Sequence, residues 1–244
     1  MLIVVKKKTV KLCITFLLVI LALIIGFIIF NPNDDSEVFN NYEYTAHKPI
    51  DRGNKDSNYI AFTCNVDWGN EVLPEILDVL DKENIKITFF VTGRWASKFP
   101  DLMQELVDRG HEIGSHGYQH LDYASLSLAK NEEELQRADK VLNKYTTDKI
   151  TLFAPPSGSY NENTLVASDK LGYKTILWTI DTIDWRAGST KDVIIDRVLK
   201  KDNFNGSIVL MHPMPETAKA LPDLIGAMEE KGLKVGRVSD VLVK

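Results

Sequence analysis

Cysteine is nearly absent from this chain: Cys13 and Cys64 are the only two among 244 residues. Disulfides are thereby excluded as the source of stability, and neither cysteine has zinc-finger spacing. Cys64 reads as a small buried apolar residue. Acidic residues are missing before Asp34, where the only charged side chains are Lys6, Lys7, Lys8 and Lys11. Beyond Phe30, the other 25 of the 29 Lys and Arg stand against all 34 Asp and Glu. So acidic a balance excludes nucleic acid as a partner, because nucleic acid selects basic surfaces. Internal repeats and low-complexity tracts are also lacking.

What is present begins with an uncharged run from Leu12 to Phe30, in which Thr15 is the only polar side chain. Its length matches a helix crossing a ~30 Å hydrocarbon core. A core helix would keep a polar face, and a signal peptide would be shorter and end in a small-x-small cleavage site. The exit Gly26-Phe-Ile-Ile-Phe-Asn31 has no such site. The pattern predicts a cytoplasmic basic N-terminus over 1–11 and a transmembrane anchor over 12–30. The remainder is then extracytoplasmic on a single-pass cell-membrane protein. Residues 31–58, rich in Asn, Asp, Ser and Lys without apolar periodicity, read as a polar linker.

From Tyr59 to the C-terminus, short apolar runs alternate with amphipathic stretches. Strands are predicted at 59–64, 85–91, 111–115, 150–153, 174–178, 207–211 and 234–238. Helices are predicted at 72–82, 101–108, 131–145, 162–171, 191–201 and 217–231. Such alternation implies parallel strands with helical crossovers, and about seven units imply an α/β fold closing towards a barrel. Chemistry in barrels gathers at the C-terminal strand ends. Asn65, Asp67, His116, His120, Asp181, Asp184 and His212 all fall there.

The strongest local signal is Gly110-His-Glu-Ile-Gly-Ser-His-Gly-Tyr-Gln-His120. One helical turn would bring His116 and His120 to the same side, where two imidazoles plus a carboxylate make an open metal site. The alternative is a pair of hydrogen-bonding loop histidines. A zincin is excluded, since His111-Glu112 would need a second histidine where Ser115 stands.

Five segments together resemble one family, the polysaccharide deacetylases with a NodB-type domain (carbohydrate esterase family 4). Thr63-Cys-Asn-Val-Asp-Trp-Gly69 falls on its Thr-Phe-Asp-Asp-Gly motif, or Asp-x-Asp in some branches. Ser115-His-Gly-Tyr-Gln-His120 resembles its paired-histidine motif, and Phe153-Ala-Pro-Pro-Ser-Gly158 its Arg-Pro-Pro-Tyr segment. Asp181-Thr-Ile-Asp-Trp185 and Ile208-Val-Leu-Met-His212 resemble its Asp-x-x-Asp-Trp and Leu-x-His motifs. The resemblance implies a distorted (β/α)7-type barrel that removes N-acetyl groups from an amino sugar of a cell-wall glycan. It also implies one divalent metal, zinc first with cobalt, manganese, nickel or iron open, held by Asp67, His116 and His120. His212 becomes the general acid and Asp181 its orienting carboxylate. The Ser157 N–H joins the oxyanion hole, and Trp185 and Leu210 line the sugar groove.

Two departures bear on activity. The family's general base falls on Asn65, and the arginine that pairs with it falls on Ala154. An amide takes no proton at neutral pH, and loss of a general base costs about 10²–10⁴ in rate. Glu71 is the replacement base to consider, its alternative role being a charge in the first helical turn. The competing reading is a catalytically impaired glycan-binding wall protein; O-acetyl ester hydrolysis is a third.

Overall fold

The computed structural model describes residues 46–243. The expected anchor over 12–30 lies outside the described residues. Eight parallel strands run as β1 (Tyr59–Val66), β2 (Thr88–Val91), β3 (Glu112–Ser115), β4 (Leu152–Phe153), β5 (Lys174–Thr175), β6 (Ile180–Asp181), β7 (Ile208–Met211) and β8 (Lys234–Gly236). Their order is β5-β4-β3-β2-β1-β7-β6, and β8 pairs with β1. β2 takes Thr63–Val66 of β1 and β8 takes Tyr59–Ala61, so the two pair with different stretches of the central strand. The helices are α1 (Leu73–Lys82), α2 (Gly93–Lys98), α3 (Pro100–Asp108), α4 (Leu128–Leu142), α5 (Glu162–Lys170), α6 (Lys191–Leu199), α7 (Pro215–Glu230) and α8 (Val238–Leu242).

β1 shows why the sheet sits where it does. Successive side chains of a strand point to opposite faces. Ile60, Phe62, Cys64 and Val66 enter the large core, with Leu73 and Leu77 of α1 and Leu221 and Leu224 of α7. Ala61 enters a smaller inner core with Phe90, Ile176, Ile208 and Val241. By the same alternation Thr63 and Asn65 belong to the inner face, and both are buried. Burial raises the Cys64 thiol well above its ordinary value, with nearby Asp184 adding to the effect, so it stays an unreactive core group.

Helix starts follow local chemistry. Ser127 caps α4 by accepting from the Lys130 N–H, so the helix begins three residues before its apolar periodicity. Asn161 and Thr164 form a reciprocal box at α5, and α1 and α7 have proline in their first turn. Three elements escape the apolar pattern: α2, β6 and α8 are each too short to show a period.

Within the described part of the polar stretch, residues 46–58, the chain pairs with the sheet. Ile50 pairs beside Ile176, next to β5 at one end of the sheet order, and Arg52 beside Ser207, next to β7, one strand from the other end. Arg52 also donates to the carbonyls of Asn203 and Asn205 at 2.8 and 3.0 Å. A segment held by its backbone has little apolar burial and leaves no periodic trace. Gly53 is required there, because an added Cβ would lie 2.2 Å from the Val241 carbonyl oxygen. Gly226, in α7, has open space around it.

Urea denaturation should therefore separate two glycines. Gly53→Ala is expected to cost roughly 1–3 kcal/mol through forced displacement of the strap. Gly226→Ala should gain up to about 1 kcal/mol from helix propensity.

His111, ahead of β3, is a buried neutral base. Its Nδ1 accepts the Ile87 N–H at 3.3 Å, and burial, then Lys86, lowers its pKa from 6.5 to about 4. The unfolded chain thus protonates first as pH falls. The contribution is complete above about 6.5 and is lost on acidification towards 4, on the order of 3 kcal/mol in all. His111→Asn keeps an acceptor without the titration and should flatten the fall in urea midpoint between pH 7 and 4.5.

Candidate active site

The chemistry-bearing residues converge at the C-terminal ends of β1, β2, β3 and β7. Asn65 ends the inner face of β1, 5% exposed, with its Oδ1 buried and unpartnered. Val66 turns into the outer core, so Asp67 is the carboxylate that β1 delivers to this rim. Ala154, where the family has arginine, is buried after β4.

The two histidines do meet, but not through a helical turn. His116 leaves β3 and the chain then loops, with Gly117 and His120 both at positive φ (73° and 56°). An added Cβ at Gly117 would strike the Tyr123 hydroxyl at 2.3 Å. The loop is held from below by fully buried Glu134, whose Oε2 accepts the Gln119 N–H at 2.9 Å while Arg137 pairs with Oε1. The imidazole centroids end 5.0 Å apart. His116 Nδ1 lies 2.7 Å from the Ala154 carbonyl, which only accepts, so Nδ1 carries the proton and Nε2 offers its lone pair. Burial first, then His120, lowers the His116 pKa to about 3; burial also lowers that of His120.

Asp67 lies near enough for its charge to act on His120. Its carboxylate is nevertheless engaged elsewhere. Oδ1 accepts from Thr92 Oγ1 and Arg94 Nε, both at 2.7 Å, and a second Arg94 nitrogen bonds Oδ2. Burial alone would raise its pKa; the bonds from Arg94 and Thr92 outweigh burial and hold it below the usual value.

His212 has a carboxylate partner, though not the one expected. Asp184, not Asp181, is the partner of His212. Asp184 Oδ1 lies 2.8 Å from His212 Nδ1, and Oδ2 accepts from the His212 backbone N–H and Thr217 Oγ1, each at 2.7 Å. Asp181 instead accepts from the Ile183 N–H at 2.8 Å, closing its own turn. The motif contains two aspartates three apart, and only the fold of the turn selects between them. Trp68 lies flat against His212, with centroids 5.6 Å apart and planes 12° apart. Trp68 and Trp185 are both well exposed, at 40% and 51%. Leu210 is buried on β7, two residues from inward-facing Ile208. Ser157 is exposed and occupies a left-handed conformation in the loop after β4. Glu71 is exposed in the turn before α1, and none of the site's hydrogen bonds described above involves it. Arg94 and Trp68 are missed by motif reading, although a tryptophan beside the first motif is itself an unusual exposed aromatic.

The chain is thus a parallel α/β half-barrel with a paired-histidine loop and a His–Asp pair at its strand ends. The family model described as polysaccharide deacetylase matches residues 52–176. The uncharacterized protein YlxY of Bacillus subtilis is 37% identical over 195 residues, 80% of this chain and 60% of that one. The peptidoglycan-N-acetylmuramic acid deacetylase PdaA of the same organism is 30% identical, over 78% of this chain and 73% of that one. Among solved structures, BA3943, described as a CE4 family pseudoenzyme from Bacillus anthracis, is 38% identical. It matches with a TM-score of 0.78 over 82% of this chain and 70% of that one. The chain belongs to the polysaccharide deacetylase family.

Substitution separates the two aspartates. Asp184→Ala strips the acceptor from three donors and should cost roughly 3 kcal/mol in urea denaturation. Asp181→Ala should cost about 1 kcal/mol or less.

Proposed function

We propose that this chain is a membrane-tethered, extracytoplasmic protein that binds N-acetylated wall glycan in its deacetylase groove but does not turn it over. The single observation that carries this reading is Asn65. It occupies the position of the family's base, buried at the floor of the site, and its amide accepts no proton. The loss is accommodated rather than accidental, because an arginine facing a neutral amide would be a partly buried, uncompensated charge, and Ala154 stands there instead. The likeness to BA3943, described as a pseudoenzyme, supports the same reading.

The groove keeps what a sugar needs. Trp68 and Trp185 present exposed indole faces on which the apolar face of a pyranose ring stacks, while His212 and the loop after β4 supply polar contacts. Beside Trp68 a cavity of about 350 Å³ is lined by Asp67, Asn70, Arg94, Lys98 and Phe99. The lysine cluster and residues 12–30 tether the chain, which makes peptidoglycan-type amino sugars the available ligand.

A second reading, slow N-deacetylation, is favoured by the intact Asp184–His212 dyad, which is able to hold a proton for a leaving amine. Titration of the detergent-solubilised full chain with N-acetylglucosamine oligomers and muropeptide fragments decides between them. Binding should be measurable and at least about tenfold weaker in Trp185→Ala, while acetate release stays at the buffer rate. Multiple turnovers of acetate release on addition of zinc, cobalt, manganese or nickel would replace the first reading with the second. Absence of binding and of turnover would sink both.

A further inference from the structure

Members of this family are generally metal-dependent, and Asp67, His116 and His120 are the residues to test against a divalent ion. They do not fit one as they stand. Three of the about four lone-pair sites of Asp67 are already given to the Arg94 fork and the Thr92 hydroxyl, two on Oδ1 and one on Oδ2. Among the described residues, no group of three His, Cys, Asp or Glu is placed to hold an ion.

The pair differs from an ordinary surface ion pair. The Asp67 side chain is 7% exposed, whereas that of Arg94 is 50% exposed. The carboxylate is thus largely desolvated and needs a positive partner, since a buried charge left alone is costly. Arg94 reaches it from the solvent side. Its backbone is fixed against the histidine loop: the Gly93 N–H donates to Gly117 O at 2.9 Å and the Arg94 N–H to Tyr118 O at 3.1 Å. Gly93 permits this approach, because an added Cβ would lie 2.6 Å from the Tyr118 ring. Thr92 serves twice, capping α2 through the Trp95 N–H and donating to Asp67. The cation and the paired histidines are therefore held as one unit.

We propose that Arg94 is a built-in cation that takes the place of the divalent metal ion. Its guanidinium bonds both oxygens of Asp67 and neutralises the carboxylate beside the paired histidines. A metal ion entering the same place meets a fixed positive charge and a carboxylate with three of its about four lone-pair sites already taken. This inference concerns cation binding and holds whether or not the chain hydrolyses glycan.

The test is cobalt(II) titration of the full chain by calorimetry, with visible absorption to report coordination. The wild type should show no tight, stoichiometric binding. Arg94→Gln should bind one equivalent at least about tenfold more tightly, as removal of a neighbouring positive charge predicts. It should also develop cobalt d–d bands. Adding Asp67→Asn to that variant should abolish both signals, which identifies the carboxylate as the ligand uncovered. Tight one-equivalent binding by the wild type, lost in His116→Ala, would overturn the proposal without reference to any Arg94 variant. A folded Arg94→Gln protein, judged by circular dichroism, that binds no cobalt would overturn it equally. Binding in Arg94→Gln that survives Asp67→Asn would do so as well, because the ion would then sit elsewhere.

Discussion

The alternation of side chains along β1 is the constraint on which the rest of the molecule depends. Its even-numbered residues, Ile60 to Val66, are committed to the core shared with α1 and α7. Its odd-numbered residues are thereby committed to the interior, with Asn65 the last of them before the rim. A one-residue slip would put Val66 into the site and Asn65 among leucines. Because β2, β7 and β8 all pair with this strand, the same register positions Thr92, His212 and the C-terminal helix α8. The large core and the chemistry are set by one strand.

Three side-chain pairs hold the rim together. Asp184 answers His212, Arg94 answers Asp67, and Arg137 answers Glu134 beneath the histidine loop. Asn65 stands among these groups as an amide with an unsatisfied oxygen. A carboxylate there would need a cation, and Ala154 supplies none. The His212–Asp184 pair is in place, whereas Asn65 is a neutral amide. That asymmetry, which centres on Asn65, is the physical basis for the proposed reading of the groove as a binding surface.

Much of this was legible in the sequence because it rests on side-chain type at regular spacing. Strand and helix alternation from Tyr59 onward produced the parallel architecture, and the five ordered motifs pointed to the family. What was not legible depended on backbone path. The approach of His116 to His120 needs two left-handed residues, which a count of four residues reads as a helical turn. The choice of Asp184 over Asp181 is made by the turn after β6. The strap at Ile50–Gly53 pairs through main-chain groups and has no apolar period to reveal it. Glu71 is close to Asp67 along the chain, yet it ends exposed in the turn before α1.

By itself the sequence determined the chemical inventory: an amide at Asn65, no arginine at Ala154, and histidines and aspartates in family order. Those are matters of residue identity, and folding does not change them. Only the tertiary structure decided which charges meet. Arg94 is 27 residues from Asp67 along the chain, and β1–β2 pairing brings them together at adjacent strand ends. A carboxylate that reads as a metal ligand from its motif becomes an ion-pair partner once a guanidinium is delivered to it. Electrostatic roles follow distance in space, which spacing along the chain does not report.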